Sequence, residues 1–172
     1  MYPYNAQLLT WLQLYSTSNL SKNFVFFNDG DEKPDEKKKP GKTGGIYSRY
    51  CSSYEEVKIL LKFTMQRGAG GDFPENVIEA VLAAEKYFPD ATSSVLIADN
   101  WADIRDKELM GQIKKPVKVI LCAVKNHSIN IDYLNLAYKT KGSLHLIDQD
   151  ITDLALLQEG AVLKIGKASY KI

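Results

Sequence analysis

Short apolar runs alternate with helical periodicities along almost the whole chain, and that alternation leaves few architectures open. Residues 24–27, 94–98, 117–124 and 144–147 are compact apolar runs of strand length. Between them, residues 4–15, 54–66, 73–88 and 130–140 repeat apolar side chains at helical spacing. Leu8, Trp11, Leu12 and Tyr15 share one stripe, as do Val77, Ile78, Val81 and Leu82, and then Ile131, Leu134 and Tyr138. Strand alternating with helix predicts an α/β fold: a doubly wound, mainly parallel sheet with helices on both faces. Residues 46–50 read as a short edge strand and 104–113 as a short helix. Residues 161–165 and 169–172, around Gly166-Lys167-Ala168, read as a terminal hairpin. Residues 28–45, dense in Asp, Glu, Lys, Pro and Gly, predict a solvated, mobile loop.

At 172 residues the chain is long enough for one well-packed domain. A net charge of +1 argues against binding nucleic acid or an anionic membrane by bulk electrostatics. No apolar run approaches the ~20 residues of a membrane span, and no secretory signal opens the chain. Cys122, inside an apolar run, reads as a core thiol, and Cys51 lies near a polar turn. His127 and His145 are too few for a zinc motif.

Two acidic turns carry the candidate chemistry. Gly68-Ala69-Gly70-Gly71-Asp72-Phe73-Pro74-Glu75 runs into a helix, and Val95-Leu96-Ile97-Ala98-Asp99-Asn100 ends a strand. Both fall at the strand-exit edge of an α/β sheet, where a hard divalent cation would find oxygen ligands. Asp72 and Glu75 also fit a capping box for the following helix, and this reading competes with a metal role for Asp72. Asn100 and Asp103 can cap the next helix as well as Asp99 can. Trp101 lies on the same rim, either as a partner anchor or as a local lid. Lys39-Pro40-Gly41-Lys42-Thr43 resembles the end of a phosphate-binding loop, but Glu36 stands where that pattern needs Gly, so the segment reads as a turn.

The Gly-Gly-Asp turn, the strand ending in Leu96-Ile97-Ala98-Asp99-Asn100 and the run from Lys115 to Val124 together resemble the von Willebrand factor type A domain. The resemblance spans residues 1–150, with 151–172 as a C-terminal helical turn and hairpin packed on it. It implies a metal-ion-dependent adhesion site, with Asp72 and Asp99 as metal positions and Asn100 and Trp101 on the partner-binding rim. The family's Asp-x-Ser/Thr-Gly-Ser motif and its first, central strand have no counterpart here, and Met1 matches the methionine that follows that motif. The implied reading is an N-terminally truncated, non-catalytic protein-interaction module with an incomplete site. Mg2+ would bind the intact protein, and this chain weakly or not at all. Loss of a central strand would cost roughly 10 kcal/mol of apolar burial, leaving the flanking strands to face a gap or close together.

The expected partner is a protein ligand, with no nucleic acid and no transmembrane segment. A signal peptide encoded upstream of Met1 would place the intact protein outside the cytoplasm. The alternative is a Rossmann-like nucleotide-binding protein or hydrolase. Against it stand the missing Gly-x-Gly-x-x-Gly and nucleophile-elbow motifs, and the expectation that no usable histidine lies beside an acid. A metal-independent interaction domain is the third reading.

Overall fold

A computed structural model describes residues 2–15, 22–30, 33–67, 74–126 and 128–172. Helix α1 (Tyr2–Tyr15) precedes strands β1 (Lys22–Phe27) and β2 (Ile46–Cys51), then helices α2 (Tyr54–Arg67) and α3 (Val77–Tyr87). Strand β3 (Ser94–Asp99) and a 3-10 turn at Lys107–Gln112 lead to β4 (Val117–Cys122), helix α4 (Ile131–Lys139), β5 (Ser143–His145) and β6 (Asp150–Ile151). A 3-10 turn at Leu154–Leu156 precedes the hairpin β7 (Val162–Ile165) and β8 (Ala168–Lys171).

The fold is mixed α/β, with a mainly parallel four-stranded sheet flanked by helices. Its order is β3-β4-β5-β6, the first three strands parallel and β6 antiparallel. Register places Leu96 beside Val119 and Leu144, and Ala98 beside Leu121. All five are buried in one core with Val77, Ile78 and Val81 of α3 and Tyr133, Leu134, Leu136 and Ala137 of α4. The opposite face stays open: Val95 is 59% and Ile120 38% exposed. The expected helices on both faces therefore divide between two sheets. α1 and α2 pack at the antiparallel β1–β2 pair, where Leu8, Phe24, Phe26, Tyr47 and Tyr54 surround Cys51, Val57 and Leu60.

β1 and β3 belong to different sheets, so the flanking strands do not close together. A small cleft of about 50 Å³ lies between them, lined by Val25 and Phe27 on one side and Ser94 to Leu96 on the other, with Ala80, Val81 and Ala84 of α3 beneath. At the other end of the chain, Ile165, Leu163, Tyr170 and Ile172 join the main core, so the hairpin packs on the domain.

Several local expectations change. The 28–45 loop is not solvated throughout: Asp29, Lys38 and Thr43 are buried. Its ends clasp, with Asn28 N–H donating to Gly45 O at 3.0 Å and Gly30 N–H to Asn28 Oδ1 at 3.0 Å. A Cβ at Gly45, whose φ is +74°, would run into Asn28 Oδ1 and the Gly30 backbone, so only glycine fits. Cys51 is fully buried and Cys122 only half-buried, the reverse of their sequence contexts. Ile131 turns outward at 39% exposed, while its neighbour Tyr133 turns in.

Helix α3 begins at Val77 rather than near residue 73. Its N-terminus is held from a distance. Asp106, fully buried, accepts N–H bonds from Ile78 at 3.1 Å and Glu79 at 2.6 Å. Asp106 makes no side-chain cap bond to the turn that follows it. Arg105 donates to Asn76 Oδ1 at 2.7 Å. Burial pushes the Asp106 carboxyl pKa up, and the two N–H bonds oppose that shift. Asp106→Ala leaves two buried helix N–H groups unsatisfied and should lower stability by about 2–3 kcal/mol, read as a shift of the urea midpoint.

Candidate functional site

The carboxylates converge at the strand-exit edge, though not as the sequence pairs them. Asp99 closes β3, and its Oδ1 accepts the Trp101 N–H at 3.2 Å, an Asx-type turn that aims Trp101 outward. Asp29 follows β1 after two residues. Glu75 sits in a short extended stretch bridged to Ile104, its N–H donating to Asp103 O and its C=O accepting from Arg105 N–H, both at 3.0 Å. Asp72 lies outside the described residues, as does His127.

Glu75 registers the convergence electrically. Burial raises its pKa from 4.5 to about 7, the Asp29 and Asp99 charges push in the same direction, and Arg105 opposes them. The same field, after burial, raises the phenol of Tyr133, which α4 tucks beneath the loops at 1% exposure. Like charges held near one another in a poorly hydrated setting favour a proton on one of them.

The rim around Asp99 is braced by amide side chains. Asn100 donates from Nδ2 to Ser128 O at 2.8 Å and accepts the Asn130 N–H on Oδ1 at 2.7 Å. Asn130 in turn caps α4 through the Asp132 N–H and donates to Asp103 Oδ1 at 2.8 Å. Asn100 is thus tied into the scaffold. Trp101 is 66% exposed, with Lys125 Nζ 5.7 Å from its ring centroid, so it extends over the rim rather than lying buried as a lid.

These donors fit a hard cation poorly. Mg2+ asks for several oxygens in near-octahedral array. Among the described residues no group of three or more His, Cys, Asp or Glu side chains is placed to hold a metal ion.

A second polar constellation was not legible as such. His145 has an acid beside it after all: Nδ1 lies 2.8 Å from Asp150 Oδ1, and Nε2 lies 2.7 Å from Ser143 Oγ. Ser143 and His145 are two apart on β5, and Asp150 stands opposite His145 in the β5–β6 register. Ser143 is 7% exposed and begins β5, at the opposite end from the acidic loops.

No protein-family model, curated protein or solved structure matches the chain.

Asp29 was legible by the rule that singled out Asp99, an acid just past an apolar strand. Glu75 was read only as a cap partner, and its coupling depends on loops that meet in space. Because its folded pKa exceeds the ordinary 4.5, Glu75 contributes stability below that pH and loses it as pH rises through about 7. The span is worth on the order of 3 kcal/mol. Glu75→Gln should flatten the fall in urea midpoint between pH 5 and pH 8 and make the variant more stable than the parent at pH 8. Parallel pH profiles for the two proteins would contradict the coupling.

Proposed function

We propose that this chain is a non-catalytic protein-interaction module of the von Willebrand factor A type, with an incomplete metal-ion-dependent adhesion site. The observation that carries the reading is the rim. Asp99 ends a parallel strand and fixes the turn that presents Trp101 to solvent, with Lys125 beside the ring. An exposed tryptophan on a braced loop supplies a large apolar contact with little ordering cost, the usual profile of a binding hot spot. Asn100 contributes by holding the rim rather than by reaching outward. The partner is a protein ligand met at the strand-exit edge.

Fold and position support the family reading: a mainly parallel sheet, an acid at the end of β3 and acids from two neighbouring loops. Mg2+ binds weakly or not at all, because among the described residues no three acidic or imidazole side chains are placed to surround an ion. Two measurements test the reading. Calorimetric titration with Mg2+ or Mn2+ should show no tight site, and a tight stoichiometric one would refute the incomplete-site reading. Proteins retained from extracts of the source cell by the immobilised chain should be lost with Trp101→Ala. An identical set retained by both proteins would remove the rim from consideration.

One observation favours the hydrolase alternative: serine, histidine and aspartate joined Oγ to Nε2 and Nδ1 to Oδ1. Asp150 on Nδ1 fixes the tautomer in which Nε2 accepts the serine proton. The burial of Ser143 weighs against attack on a substrate. A fluorophosphonate probe decides: no labelling is expected, and covalent labelling lost in Ser143→Ala would make the protein a serine hydrolase.

A further inference from the structure

We infer that Asn130 is the positioning residue of the rim: through it the entry to α4 and the loop leaving β3 form one body that holds Trp101 in a fixed direction. The inference starts from a pair of asparagines, one on each loop, that reach in opposite senses. Asn100, the residue after β3, donates from Nδ2 to Ser128 O at 2.8 Å and accepts the Asn130 N–H on Oδ1 at 2.7 Å. Asn130, the residue before α4, reaches back. Its Nδ2 donates to Ala102 O at 3.2 Å and to Asp103 Oδ1 at 2.8 Å. Four bonds therefore cross between partners 27 to 30 residues apart in the chain.

Trp101 stands between the two residues that these bonds fix. Asn100 is held through its side chain and through its own N–H, which donates to Cys122 O at 3.0 Å. Ala102 is buried and is held through its carbonyl. The Trp101 N–H is taken by Asp99 Oδ1 at 3.2 Å. Three successive residues are thus fixed, and the indole between them is 66% exposed. A ring so exposed has little packing of its own to set its direction, so the backbone behind it does. Further along, the loop is held by a different element: the Glu75 backbone bonds Asp103 O and the Arg105 N–H. The stretch that depends on Asn130 is therefore the one that carries Trp101.

Position 130 has to accept at one atom and donate at another. Oδ1 accepts the Asp132 N–H at 2.9 Å and caps α4, while Nδ2 makes both bonds to the rim. Aspartate or serine would cap the helix equally well, but neither offers an amide with two protons to give. A binding anchor fixed in advance spares its partner the cost of ordering it. The inference rests on the reading of Trp101 as that anchor, and its measurements use the free protein. A Trp101→Ala retention test that changes nothing would withdraw the binding surface without moving the amides measured below, so the two can fail separately.

The test is backbone amide exchange and 15N relaxation of the full chain. Asn130→Asp keeps the oxygen that caps α4 and loses both donations to the rim. Exchange of the Trp101 N–H should accelerate by about tenfold or more, and its order parameter should fall from about 0.85 to below about 0.6. Amides within α4 and the Arg105 N–H, held by the Glu75 carbonyl, should stay as in the parent. Adding Asp103→Asn reverses the sense of the lost bond, because position 103 then donates to the carboxylate at 130, and should recover part of both losses. Unchanged Trp101 exchange and order in Asn130→Asp overturn the inference, as does a loss that Asp103→Asn restores in no part. Equal acceleration across α4 and at Arg105 marks general loosening and overturns it too. Should circular dichroism show Asn130→Asp unfolded, Asp103→Ala decides, since Asp103 is exposed and its truncation removes the bond from the other end. Faster Trp101 exchange is then expected, and an unchanged rate overturns the inference.

Discussion

Two sheets that share no backbone ladder must be held by something else, and helix α3 is what spans them. It packs on β1 and β2 with one part of its surface and on β3 with another. Val77, Ile78 and Val81 are almost wholly buried by this double duty. The helix can do it because its first turn is fixed independently, by a carboxylate that arrives from beyond β3. Asp106 bonds Ile78 and Glu79, so the β3-to-β4 connection anchors the helix that precedes β3 in the chain. Glu79 extends the anchorage in the other direction. Its Oε1 accepts the Thr43 N–H at 3.3 Å, which ties the long β1–β2 loop to the same helix. Burial raises the Glu79 pKa, the Thr43 N–H opposes the shift and the Asp106 charge adds to it.

How much of this was legible follows from the range of each interaction. β3 and β4 were read nearly to the residue because their signal is local: a short, largely apolar run between polar turns. α2 was legible for the same reason, and it carries a local cap besides, with Glu56 N–H on Ser53 Oγ at 3.3 Å and Ser52 N–H on Glu56 Oε2 at 2.7 Å. The start of α3 was misplaced because its cap comes from 28 residues downstream. The buried part of the 28–45 loop was invisible because charged, Gly-rich composition says solvent. Thr43 and Lys38 find partners in Glu79 and the Asp29 carbonyl that composition does not reveal.

The candidate sites divide along the same line. Asp99 was legible from a strand end, and Trp101 from the position after it. Asn100, read as part of a binding rim, is spent on the Ser128 carbonyl and the Asn130 N–H, an interaction set by how the next loop folds over it. The His145–Asp150 pair was missed although only five residues separate the two. It exists because β6 returns antiparallel and places Asp150 opposite His145, and β6 is two residues long, below what periodicity can register.

β3 links the rim to the cleft. Val95 lines the cleft, and four residues further on Asp99 fixes the turn of Trp101. A strand end is only as rigid as its pairing, and among the described residues β3 is paired on one side alone. The bond from Asp99 to the Trp101 N–H and the Asn100 clamp therefore carry the rim without a second ladder behind them. That places the local bracing where it is needed: three side-chain amide and carboxylate bonds, from Asp99, Asn100 and Asn130, converge within a few residues of the unsupported strand end.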